Sequence, residues 1–247
     1  MVKKTLYFAL TATLLLSTAS ADKSATLYQV SSLNALSVGL FQGALPIGLL
    51  KREGNFGLGT YDGIDGEMIV LDGHVYHARA DGSVTESRDD ELASFAAVVD
   101  FIPERQYSIR NMTMKQLDAY IASLISSENY FYAIRIQGTF FSVTNRAIAK
   151  LSLPYPTLAQ AVQQQVTFNR ADFPGTAVVL RSPQYVSNLN VAGNHYHFIS
   201  EDLTFGGHAL DLHVDQATLQ IQEIRRATLE LPHTSSFQKT SLPPFTK

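Results

Sequence analysis

With 247 residues, 45% of them hydrophobic, the chain can bury a substantial core as one large domain or two smaller ones. Its formal net charge of −3 and lack of any basic run argue against nucleic acid as a partner. Cysteine is absent, which excludes disulfides, thiolate catalysis and lipid attachment to an N-terminal cysteine.

Basic Lys3 and Lys4, an apolar run and then Ala19-Ser20-Ala21 predict a secretory signal over residues 1–21. The apolar run is shorter than the ~20 residues that span a bilayer. The sequence therefore predicts an exported protein, periplasmic or extracellular, without membrane association after the signal is removed. A helix is expected to start near Ser31-Ser32. The glycine-rich stretch from Gly54 to Gly66 lacks the third glycine of a dinucleotide fingerprint and has no Gly-Lys-Ser/Thr, so it reads as tight turns and close backbone approaches. Glu67 closes that stretch and opens an apolar strand; it is either a solvated carboxylate or one held in place on a rigid element. Asp72-Gly73 predicts a hairpin turn, with another hairpin before Ser83.

Residues 89–101 fit a helix and a strand equally well. Met114 to Ile125 predicts an amphipathic helix with Leu117, Tyr120, Ile121 and Leu124 on one stripe. Tyr132 to Gln137 alternates as a strand, with Arg135 opposite the Tyr132, Ile134 and Ile136 face. A buried arginine needs an anion, so Arg135 should meet either an internal carboxylate or an anionic substrate. Pro154-Tyr155-Pro156 divides two β-rich halves, and a short helix capped by Thr157 is expected after it. Strands should follow over residues 176–180 and 218–231.

His195-Tyr196-His197 puts two imidazoles on one face of a strand, because strand side chains alternate. The polar turn Ser200-Glu201-Asp202 should fold the chain back so that His208 lies opposite His197, where cross-strand neighbours approach to about 5 Å. Three neutral imidazoles at such a spacing suit zinc and leave a coordination position open for substrate. Taken singly, each is equally an ordinary half-buried strand residue. His74, His77, His213 and His233 read as structural or surface residues. No Gly-x-Ser-x-Gly elbow supports Ser-His-Asp chemistry.

Several stretches together resemble bacterial acetolactate decarboxylases: residues 32–36, 56–60, 65–73, 79–83, 132–138, 154–156, 195–198 and 204–208, within a match from about residue 28 to 242. The resemblance implies a β-rich α/β fold in two domains with few helices. Residues 22–153 would form a mixed α/β domain, and residues 154–247 a β-rich, barrel-like domain that binds the metal. It implies zinc held by His195, His197 and His208, with Glu67 and Arg135 completing the catalytic set, in a protein that is usually a homodimer. The expected reaction converts 2-acetolactate, a small anionic hydroxy-keto acid, to acetoin and carbon dioxide. The family supplies a second glutamate from a C-terminal tail, whereas here no Asp or Glu follows Glu230. Water, His233 or a terminal carboxylate is expected in its place. A related hydroxy-keto acid lyase or isomerase, or a silent small-acid binding module, is the alternative that this departure leaves open.

Overall fold

The computed structural model describes residues 25–243; the predicted signal segment lies outside the described residues. In chain order the first part supplies β1 (Thr26–Val30), α1 (Leu33–Ser37), β2 (Leu45–Pro46), α2 (Ile47–Leu50), β3 (Phe56–Tyr61), β4 (Glu67–Leu71), β5 (His74–Ala78), β6 (Val84–Glu86) and β7 (Leu92–Val99). There follow β8 (Arg105–Thr113), α3 (Met114–Leu124), β9 (Phe131–Ala147), α4 (Leu158–Val162), β10 (Val166–Ser182), β11 (Gly193–Ser200), β12 (Gly206–Ile224), β13 (Arg226–Glu230) and α5 (Ser235–Lys239).

The first sheet runs β13-β1-β7-β3-β4-β5-β6, with β2 on β7. It is mixed because β13 lies parallel to β1 while the other pairings are antiparallel. β7 resolves the ambiguous segment as a strand. Ala93 through Val99 are all buried, so both of its faces are covered and the run shows no polar alternation. Asp72 and Gly73 both take positive φ, 53° and 83°, as a two-residue turn matched to the twist of β4 and β5 requires.

The second sheet closes on itself. β9 pairs with β10, β10 with β11, β11 with β12 and β12 with β9, and β8 is added outside β12. The barrel interior holds Tyr132, Ile134, Phe140, Phe198 and Leu219, and α3 closes it with Leu117 and Ile121. Thr113 starts α3 with a reciprocal capping box to Gln116, and Thr157 starts α4 in the same way with Gln160. Ser32 caps α1 through the backbone N–H of Ala35. On its outer side the barrel packs against the first sheet, Leu58 and Ile69 meeting Val178, Leu180 and Ile199.

The β-rich α/β architecture and barrel-like half expected from the sequence are both present. Pro154-Tyr155-Pro156 connects β9 to β10, which are neighbours in one sheet. Both sheets take strands from either side of that segment, since β8 and β9 build the barrel while β13 returns to the first sheet. The limits of the sheets therefore do not coincide with a division at residue 153.

Candidate metal centre

Three strands carry the histidines and their acidic neighbour to the seam between the sheets. β11 presents His195 and His197 on the side away from the barrel core, because Tyr196 and Phe198 occupy the inward positions. The β11–β12 register pairs His197 with His208. One ligand atom from each of the three residues lies within 4.8 Å of the others. His195 Nε2 is 3.1 Å from His208 Nδ1, and His197 Nδ1 donates to the Met68 carbonyl at 2.7 Å. That bond makes Nε2 the free atom of His197, and it is buried without a hydrogen-bond partner.

Glu67 begins β4 and reaches the same point. Its Oε2 lies 3.4 Å from His197 Nε2 and its Oε1 accepts from Arg146 Nη1 at 3.0 Å. Gly66 aims it there: φ is +66°, and a Cβ at this position would sit 2.3 Å from the Ala78 carbonyl oxygen. His77 fixes the preceding corner by hydrogen bonding the Asp65 carbonyl through Nε2 at 2.6 Å, with Glu91 on Nδ1 at 3.2 Å and the Tyr61 ring stacked on it. His77 is thus structural. Gly207 lets β12 approach β9 closely, since a Cβ there would lie 2.7 Å from the Arg146 carbonyl oxygen.

Burial dominates the electrostatics. It pushes the Glu67 carboxyl up to about 7, against the pull of the Arg146 guanidinium. His195 is depressed to about 3 by burial and then by Arg146. His197 and His208 are held well below the usual range by burial and by the charge that His195 would carry. All three imidazoles are therefore neutral at physiological pH, the protonation state in which histidine ligates a metal. Neutral donors, an orphaned Nε2 and an adjacent carboxylate fit a divalent cation.

These groups line a cavity of about 110 Å³ together with the apolar side chains of Leu33, Leu36, Phe95, Leu158 and Val162. Arg135 is elsewhere. It makes a bidentate pair with Asp72 at 2.9 and 2.6 Å, in a separate open cleft of about 400 Å³ that contains none of the three histidines. Its anion is the internal carboxylate, and the guanidinium at the histidine centre is that of Arg146. Sequence reasoning missed Arg146, which lies on β9 and pairs directly with His208 of β12. His233 does not enter the cavity; it is exposed and lies 3.5 Å from Glu230. His74 and His213 pair with Glu86 and Asn111 on the surface.

Residues 27–244 match the family model described as alpha-acetolactate decarboxylase. The chain belongs to this family. An alpha-acetolactate decarboxylase of Methanosarcina mazei is 36% identical over 90% of this chain and 78% of its own length. One from Brevibacillus brevis is 36% identical over 87% of this chain and 76% of its own length. The crystal structure of the alpha-acetolactate decarboxylase from Bacillus subtilis strain 168 superimposes with a TM-score of 0.87 at 34% identity, covering 89% of this chain and 94% of that one. The acetolactate decarboxylases are carboxy-lyases, and membership places this chain among enzymes that release carbon dioxide.

Proposed function

We propose that this protein decarboxylates 2-acetolactate to acetoin, with zinc held by His195, His197 and His208. The observation that carries the reading is the convergence of three neutral, mostly buried imidazoles with the Glu67–Arg146 pair on one small cavity. When bound, zinc supplies Lewis-acid stabilisation of the substrate oxygens beside the bond that breaks.

The remaining work falls to the chain's own side chains. Arg146 gives one N–H to Glu67, and the rest of its guanidinium is the charge available to receive the substrate carboxylate. The apolar wall excludes water from that carboxylate as it becomes neutral carbon dioxide. The C–C bond to the carboxylate cleaves, its electron pair delocalises onto the adjacent ketone oxygen, and a proton must then add to the carbon that lost carbon dioxide. Glu67, with its carboxyl raised to about 7, holds such a proton near neutral pH beside His197. Delivery from one side sets the configuration of acetoin.

Export through the segment at residues 1–21 and assembly as a homodimer complete the proposal. No helix among the described residues is long and apolar enough to cross a membrane. Incubation of purified protein with 2-acetolactate, followed by chiral product analysis, should show one acetoin enantiomer in excess. Racemic acetoin at the spontaneous rate, or a rearranged acid in its place, would refute the assignment.

A further inference from the structure

His195 and His197 are set by different means. His197 is steered by its bond to the Met68 carbonyl. His195 bonds no carbonyl, carboxylate or hydroxyl among the described residues: its Nε2 faces the His208 ring, and its Nδ1 is buried without a partner. Metal-binding imidazoles are ordinarily oriented by a hydrogen bond from the nitrogen that does not bind the metal. If Nε2 of His195 serves as ligand the other nitrogen meets no partner, and if Nδ1 serves the other meets only the neighbouring ligand ring, so its orientation must be imposed through the backbone.

The two residues that flank it are clamped by a single oxygen. Asn194 donates through Nδ2 to Asp118 Oδ1 at 2.7 Å, and the Tyr196 hydroxyl donates to the same oxygen at 2.5 Å. Asp118 belongs to α3, whose Leu117 and Ile121 are completely buried in the barrel. Tyr196 is itself only 3% exposed, so its ring cannot swing without opening the barrel core. Arg181 secures the other end of the Asn194 side chain at 3.2 Å. One helix thus holds the backbone on both sides of His195.

We propose that Asp118 is a positioning residue for the metal centre, acting on His195 through Asn194 and Tyr196 without touching metal or substrate. The inference rests on the zinc reading above. It is tested by measuring zinc affinity of the full chain by competition with a chromophoric chelator, alongside thermal unfolding of the metal-free protein, for Asp118→Ala, Asp118→Asn, Tyr196→Phe and the double variant Asp118→Ala with Tyr196→Phe. Asp118→Ala should weaken zinc on the order of 10-fold. Tyr196→Phe should weaken it by a smaller factor, and the two effects should be non-additive because they share one oxygen. Asp118→Asn keeps an acceptor oxygen in place and should restore most of the affinity, a rescue that loss of stability alone does not produce. Zinc affinity unchanged in both Asp118→Ala and Tyr196→Phe, even with lowered melting temperatures, overturns the inference. If Asp118→Ala fails to fold, Tyr196→Phe decides it. A wild-type chain that binds no zinc overturns the metal reading instead, so the two failures are distinguishable.

Discussion

Arg146 and Arg135 lie on the same strand and do different things. Arg146 bonds Glu67 beside the histidines, whereas Arg135 ties the β4–β5 turn to the barrel through Asp72. Arg146→Ala should raise KM and lower kcat together, because it removes the cation proposed to receive the substrate and leaves Glu67 buried alone. Arg135→Ala should leave kcat within about twofold and reduce stability by about 1 kcal/mol, the usual size for a pair whose carboxylate is largely solvated. Steady-state kinetics and denaturant unfolding of both variants check this, and equal catalytic damage in the two would remove the distinction. Glu67→Gln keeps the shape but not the proton and should lower kcat about 100-fold with zinc content unchanged. Zinc content by elemental analysis beside turnover separates loss of chemistry from loss of metal.

At the level of elements, the difference between the two arginines comes from a slip in β9. Ile134, Ile136 and Phe140 face the barrel core and so does Val143, while Phe141 and Ser142 between them are exposed. Side-chain parity therefore shifts by one between Phe140 and Val143, and two arginines eleven residues apart reach the same outer side. Alternation counted along a sequence cannot see such a slip. The hairpin at Asp72-Gly73, the helix starts at Ser32 and Thr157 and the pairing of His197 with His208 were legible because each depends on local residue chemistry. Strand β7 was not, because a strand covered on both faces carries no period. Two substitutions test these elements. Gly66→Ala forces a Cβ against the Ala78 carbonyl at a positive φ and should cost more than about 1 kcal/mol of stability as well as activity. Phe198→Ala should cost about 3–5 kcal/mol, since Phe198 is fully buried between Phe140 and Phe173 on the strand that bears His195 and His197. Chemical unfolding measures both.

The molecule as a whole builds its site at a seam: β4 of the first sheet brings Glu67, and β9, β11 and β12 of the barrel bring Arg146 and the histidines. No single run of sequence contains that seam, which is why the histidine hairpin could be read ahead of the structure and its partner guanidinium could not. The site also shapes how stability depends on pH. The three histidines have folded-state values below the unfolded 6.5, so as pH falls through 6.5 the unfolded chain takes up protons that the folded chain refuses. Their contribution is present above that pH and is lost progressively below it. Glu67, raised to about 7, works the other way between 4.5 and 7, but one carboxyl opposes three imidazoles. Metal-free protein should thus lose thermal stability on acidification below about pH 6.5. Excess zinc should raise its melting temperature at neutral pH, and that gain should fade in acid as protons compete for the imidazoles.

The most direct measurement is a titration of metal-free protein with zinc, following acetoin formation from 2-acetolactate against bound metal. Acetoin formation should rise in proportion to occupancy, reach its maximum at one zinc per chain, and vanish on chelation or in His208→Ala. Full activity without metal, or activity that ignores occupancy, would contradict the central claim that these three histidines hold the metal on which decarboxylation depends.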